Sequence, residues 1–248
     1  MDWVVAIPSY RRAQTIHRKT LALLWSSGIP AERVTVFVAS PEEAEEYAQY
    51  FLPSFSPSIV VGVPGIHRQR AFMESYYQKG QRVVFIDDDV SALKMIHPAA
   101  LPEVIDRCFE LAAAEGCALW GINPTDNGLC LKDEAVVGLR YIIGAFYGLT
   151  ITHDIDYPWP VAEDYTRTVE HFKRDGRVLR FNGIGPTTRY FATGGLEETR
   201  AAGVQEPQMI EFVERYSDLA TLRKRSGKPT DARFKIITYK RIEHPFGP

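Results

Sequence analysis

Three consecutive carboxylates, Asp87, Asp88 and Asp89, directly follow the apolar run Val83-Val84-Phe85-Ile86. So abrupt a change of polarity suits a buried strand whose C-terminal tip emerges into a cleft. Adjacent aspartates repel one another, and each is partly neutralised unless a cation sits among them. Oxygen-only ligands suit a hard divalent ion such as Mg²⁺ or Mn²⁺. Strand geometry would point Asp87 and Asp89 one way and Asp88 the other, so that two carboxylates share one metal. A polar turn explains one aspartate equally well; three behind four apolar residues favour the metal.

The elements leading to this tip alternate in type. An apolar strand over residues 3–7 is stopped by Pro8, and Ser9-Tyr10-Arg11-Arg12 forms the loop beyond it. Ile16, Thr20, Leu21 and Leu24 keep helical spacing up to Gly28, and a second strand covers residues 34–39. Ser40 as N-cap, Pro41 in the first turn and Glu43 closing a capping box start a helix that runs to about Phe51. A strand over 59–63 and a helix over 67–79, ended by Gly80, precede the aspartate strand. Such alternation, with strands apolar on both faces, predicts a mostly parallel sheet covered by helices. Ligands of open sheets gather beyond the strands' carboxyl ends, which here carry Pro8-Ser9-Tyr10-Arg11, Ala39-Ser40, Pro64-Gly65 and the three aspartates.

The second half reads differently. A helix over 102–115 and a strand over 117–122 are followed by a β-rich, glycine-punctuated stretch over 136–152 that suggests antiparallel pairing. Residues 162–174 are helical, with Glu163 and Asp164 in the first turn and Gly176 as the stop. Strands over 178–181 and 187–191, a Gly194-Gly195 turn, a helix from 207 to about 225 and a strand over 234–239 complete the expectation. No repeat or low-complexity linker divides the chain, so residues 1–248 are expected to form one domain of two halves, 1–122 and 123–248, the second building the other wall of the cleft.

At 248 residues, 45% of them hydrophobic and 24% charged, the chain can bury a substantial core. No apolar run approaches the ~18 residues of a membrane span. Met1-Asp2-Trp3 leads straight into a strand without a basic segment, so a cytoplasmic location is expected. Cys108, Cys117 and Cys130 have no metal-ligand or disulfide spacing and read as buried apolar residues. The net charge of −2 hides a basic C-terminal segment, Arg223, Lys224, Arg225, Lys228, Arg233, Lys235, Lys240 and Arg241, in which Asp231 is the acid; it is either a solvated surface or the face for a polyanion.

This order of parts resembles the nucleotide-sugar glycosyltransferases of the GT-A fold over residues 1 to about 200. The resemblance implies an α/β, GT-A-like (Rossmann-like) mostly parallel central sheet flanked by helices, with an antiparallel acceptor-side portion. It makes Asp87 and Asp89 the metal-binding DxD pair, with Mn²⁺ or Mg²⁺ bridging to the diphosphate of a UDP-linked nucleotide-sugar donor. Pro8, Ser9, Tyr10 and Arg12 would contact the nucleotide, with Arg12 on phosphate and Tyr10 on the base. Arg68 or Arg70 would fork onto phosphate or the carboxylates, and Asp88 would take part in donor binding. Glu163 and Asp164 match the acceptor-side acids, where the helix dipole would keep Asp164 ionised as a base for an inverting transfer; in a retaining one the pair would only orient the acceptor. His244 is the candidate for a third metal ligand, and His153 reads as structural.

Ile7-Pro8-Ser9-Tyr10-Arg11-Arg12-Ala13, the aspartate tip, Ala162-Glu163-Asp164 and Gly194-Gly195-Leu196 are also similar to a narrower group, the phage and TET-associated glycosyltransferases acting on hydroxymethylated pyrimidines in DNA. That likeness implies a DNA partner held by the basic segment, an extruded base supported by Trp159, Tyr190 or Phe191, and the host cytoplasm for a phage-encoded protein. A saccharide or protein acceptor, a nucleotidyltransferase and a non-catalytic nucleotide- or DNA-binding module are the competing readings. A nucleotidyltransferase would carry a glycine-rich, lysine-containing loop after the first strand, where Pro8-Ser9-Tyr10-Arg11 stands instead.

Overall fold

A computed structural model describes residues 2–153, 155–188, 203–225 and 228–247. Strands β1 (Val4–Pro8), β2 (Val34–Val38), β3 (Ser58–Val61) and β4 (Arg82–Ile86) alternate with helices α1 (residues 13–26), α2 (Pro41–Tyr50) and α3 (Ile66–Tyr76). Then follow β5 (Ala92–Met95), α4 (Leu101–Ala114), β6 (Leu119–Ile122), β7 (Glu134–Leu139), β8 (Phe146–Thr150), α5 (Glu163–Asp175), β9 (Val178–Phe181) and β10 (Ile184–Thr187). Helix α6 (Gln205–Arg215) and strands β11 (Ala220–Arg225), β12 (Lys228–Phe234) and β13 (Ile237–Glu243) close the chain.

A nine-stranded sheet has the order β13-β7-β9-β6-β8-β4-β1-β2-β3. Its β4-β1-β2-β3 portion is parallel, with Val5 of β1 opposite Val34 and Val84. Antiparallel β8 joins this portion to β6, which pairs in parallel with β9 before β7 and β13 add antiparallel pairs. Alternation along the parallel strands buries both faces: Val5, Ile7, Val84 and Ile86 face one core, Ala6, Val83 and Phe85 the other. Gly148 in β8 is obligatory at that crossing, because a Cβ there would lie 2.1 Å from the Trp120 ring. Small two-stranded sheets, β5 with β10 and β11 with β12, flank the main one.

Several expectations changed. The helix expected over 207–225 stops at Arg215, and residues 220–225 pair with β12 in a hairpin whose Ala220, Ala232 and Phe234 pack with Phe212 of α6. Long-range pairing here overrides a locally helical pattern. Of the strand expected over 187–191, Thr187 ends β10, which pairs with β5, an element the sequence did not signal, and residues 189–191 lie outside the described residues. The last strand begins at Ile237 rather than 234, and α3 ends at Tyr76. Cys108 and Cys117 are buried, but Cys130 is exposed in the turn where its N–H donates to the Asn127 carbonyl. Tyr190, Phe191, Gly194, Gly195 and Leu196 lie outside the described residues. Among the described residues, no helix is long and apolar enough to cross a membrane.

Candidate active site

The aspartate tip forms where β4 runs out of partners. Asp87 N–H donates to the Ala145 carbonyl at 3.0 Å, and the chain then turns. The turn is pinned from α1 by buried Thr20, whose Oγ1 donates to the Asp87 carbonyl (2.7 Å) and accepts from Val90 N–H (3.1 Å). Thr20 lies in the π-helical segment His17–Leu21, and such local widening of a helix recurs at functional sites.

Because the tip is a turn, the strand alternation expected for the three carboxylates does not hold. Asp88 and Asp89 share Arg12, whose Nη1 lies 3.1 Å from Asp88 Oδ1 and 3.7 Å from Asp89 Oδ2, while Asp87 faces Arg70. Asp88 also accepts from Ser9 Oγ at 2.6 Å. Ser9 in turn pairs with the Tyr47 hydroxyl at 2.8 Å, and that oxygen accepts from Arg12 N–H at 2.9 Å. Burial pushes the Tyr47 phenol up to about 12, so it stays a neutral donor toward Ser9. Glu43, expected to close its own capping box, instead accepts from Ala39 N–H and Arg11 N–H, both at 2.7 Å, and so ties the first loop to α2. Pro8 ends β1 opposite Phe37, and the Arg11 guanidinium lies 4.8 Å from the half-buried Tyr10 ring.

Of the two candidate arginines on α3, Arg68 is exposed and Arg70 is 1% exposed. Arg70 Nη2 donates to Asp87 Oδ1 (2.5 Å) and to the Gly144 carbonyl (3.0 Å), while its Nε lies 3.9 Å from Glu163 Oε1. Glu163 Oε1 is also 3.9 Å from Nη1 of Arg167, a fully buried residue whose guanidinium carbon stacks 3.7 Å from the Tyr147 ring centroid. Gly144 permits this convergence, because a Cβ there would approach Glu163 Oε1 to 3.2 Å. Sequence reasoning missed Arg167; its signal was the i,i+4 spacing from Glu163 on a helix start.

Asp164 accepts from the Tyr141 hydroxyl and from Tyr165 N–H (2.9 Å), and Glu163 accepts from Asp164 N–H. The helix dipole does not set its protonation as expected: burial, then repulsion from Glu163, hold its carboxyl well above the usual range. Asp87 is pushed up to about 7, first by desolvation and then by Asp89, Asp88 and Glu163, against the pull of Arg70.

His244 is not beside the aspartates in its contacts; its Nδ1 pairs with Asp133 Oδ2 at 2.5 Å, a carboxylate it shares with His97. His153 bonds the Tyr77 carbonyl at 2.7 Å, a structural contact. Trp159 is 8% exposed, with its indole N–H on Glu211 and its ring against Phe212 and Tyr216, so packing already occupies it.

No family model matches the chain, and no curated protein matches it. Solved structures do. Glucosyl-3-phosphoglycerate synthase from Mycobacterium tuberculosis in complex with phosphoglyceric acid superposes with a TM-score of 0.51 at 16% identity, over 90% of this chain and 84% of that one. The same enzyme with Mn²⁺, UDP and glucosyl-3-phosphoglycerate gives 0.50 at 15%, over 98% and 90%. S. aureus TarS 1-349 gives 0.48 at 15%, and the match covers 75% of this chain but only 59% of that one.

This chain has a GT-A-like fold. In that fold the parallel strands end at one rim, and here the rim carries the Ser9 loop and the aspartate tip. The tip offers the carboxylate oxygens a hard divalent cation prefers, and their mutual repulsion is among the causes that raise Asp87, but among the described residues the three carboxylates do not converge on one point. The resemblance would have Asp87 and Asp89 hold the ion; here Asp87 faces Arg70 while Asp89 lies on the Arg12 side with Asp88.

Proposed function

We propose that this chain transfers a sugar from a nucleotide diphosphate sugar, UDP-linked, to an acceptor hydroxyl, with Mn²⁺ or Mg²⁺ at Asp87 and Asp89. The continuous link from Asp87 through Arg70 to Glu163, with Asp164 next in sequence, carries this assignment, because it joins a cation-binding acid to an acceptor-side acid through one buried guanidinium. The GT-A-like fold supports it, as do the Mn²⁺ and UDP described with the mycobacterial enzyme. When bound, the ion offsets the charge gathering on the departing nucleotide. The first loop, held by Asp88, Glu43 and Tyr47, grips the nucleotide through Pro8, Ser9, Tyr10 and Arg12. Asp164 takes the acceptor proton in an inverting transfer; a carboxyl raised toward neutrality is a better matched base than an ordinary one. Free cysteines fit a reducing compartment such as the cytoplasm.

For the acceptor, one observation favours the hydroxymethyl oxygen of a modified pyrimidine in DNA. Asp231 of the basic β11–β12 hairpin accepts from the hydroxyl of Tyr165, the residue after Asp164, at 2.5 Å, which ties the hairpin carrying exposed Arg223 and Arg233 to the helix that bears the acceptor-side acids. A polyanion lying along them would reach that wall of the cleft. The test incubates the purified protein with Mn²⁺, a panel of nucleotide sugars and DNA containing or lacking hydroxymethylated pyrimidine. Release of nucleoside diphosphate from one donor, lost on Asp89→Ala, is expected together with a mass gain on the modified nucleoside. No release from any donor overturns the transferase; release with mass gain only on a saccharide or protein overturns the DNA acceptor.

A further inference from the structure

We propose that His97, Asp133 and His244 form a second metal site, selective for a borderline ion of the zinc class, that clasps the C-terminal strand to the body of the protein. His97 Nε2 and His244 Nδ1 lie 2.7 and 2.5 Å from the same oxygen, Asp133 Oδ2, and the three ligand atoms all fall within 4.8 Å of one another. Two imidazole nitrogens thus converge on one carboxylate oxygen, whose two lone pairs can accept both or turn with them to a shared ion. Ligand atoms around a tetrahedral zinc stand roughly 3.3 Å apart for bonds of ~2.0–2.1 Å. The two histidine–carboxylate distances would each need to open by about 0.6–0.8 Å to reach that spacing.

The backbone holds the three ligands in place from separate parts of the chain. His97 follows β5, where Ile96 N–H donates to the Gly183 carbonyl at 3.0 Å; Asp133 follows Lys132, whose N–H donates to the Asn182 carbonyl at 3.1 Å. Both segments thus hang from the turn between β9 and β10. His244, just past β13, donates its own N–H to the Asp133 carbonyl at 3.2 Å and sits at φ 50, a left-handed conformation unusual outside glycine. Side-chain exposures of 39% for His97 and 63% for His244 leave an ion a path in and a water a coordination position.

Two neutral imidazoles and one carboxylate suit zinc, nickel or copper chemistry rather than Mg²⁺, which prefers oxygen. The clasp is therefore chemically distinct from the all-carboxylate tip. Its ligands are 36 and 111 residues apart from Asp133 in sequence, so a bound ion closes long loops and stabilises the fold.

The test uses the untagged full-length chain, stripped with a chelator and titrated with Zn²⁺ alone by calorimetry, with bound metal counted by plasma mass spectrometry. About one zinc ion per chain is expected in the presence of millimolar Mg²⁺, with a higher Tm than the stripped protein. Co²⁺ in its place should give tetrahedral ligand-field bands in the native chain, a reading that needs no variant. His97→Gln and His244→Gln should each weaken zinc binding about tenfold or more, while Asp89→Asn should retain it. Failure of the stripped chain to take up zinc, or uptake that both histidine variants retain and Asp89→Asn abolishes, overturns the site and leaves the transferase assignment standing.

Discussion

Arg70 donates to Asp87 at 2.5 Å from a position 1% exposed to solvent, and the same guanidinium points its Nε at Glu163, 3.9 Å away. One buried cation thus balances two acids, one at the β4 tip and one at the start of α5. Removing it in Arg70→Met should leave both acids under-compensated, lowering stability by about 3–5 kcal/mol. Urea denaturation measures the loss; Arg70→Lys should recover part of the stability but little donor turnover, because a lysine cannot fork.

Asp89→Asn should raise the Mn²⁺ concentration needed for donor hydrolysis and cut turnover by about 100-fold or more, as removal of a metal-held charge stabiliser does. Asp88→Asn should act differently. Asp88 holds Ser9 and Arg12, so this variant should raise the KM for donor more than it shifts the metal requirement. A Mn²⁺ titration at saturating donor separates them.

Asp164→Asn should reduce kcat for transfer by about 10² to 10⁴-fold, the usual worth of a general base, with donor binding retained. In the native enzyme, activity should rise as Asp164 loses its proton. Since its carboxyl is raised, the acid limb of the kcat profile should lie above the ordinary carboxylate range. Tyr141→Phe removes the hydroxyl that Asp164 accepts and should move that limb upward, which pH–rate profiles of both proteins would reveal.

Glu74 is buried against the Tyr157 hydroxyl and pushed up to about 7 by desolvation. A carboxyl raised on folding binds more protons in the native state, so it favours folding below its unfolded value and loses that contribution as pH climbs toward 7. Stability measured by urea titration should fall between about pH 4.5 and pH 7 for this reason, and Glu74→Gln should flatten the slope over that window.

Thr20→Val keeps the shape of α1 but leaves the Asp87 carbonyl and Val90 N–H without their side-chain partner. Each unsatisfied buried group costs about 1–3 kcal/mol, so a marked drop in Tm is expected, together with weaker Mn²⁺ binding at the loosened tip.

Local chemistry made much of this protein legible. Apolar runs ending in Pro8 and Asp87, the Ser40-Pro41 helix start and the glycine stops each act over a few residues, so the β1–β4 half and its GT-A likeness could be read directly. Glu163 and Asp164 were visible because acids at a helix start stand out against the apolar face behind them. Pairing between distant segments left no such mark. Strand β11 looked helical, β5 went unseen until β10 paired with it, and a turn replaced strand alternation at the three aspartates because Thr20 and Arg12 reach in from another element. Arg167 and the departure of His244 to Asp133 likewise depend on which surfaces meet after folding. Residue type alone determined what chemistry could occur. Long-range packing, which sets burial and partners, decided which charges face one another and so which of them can act together.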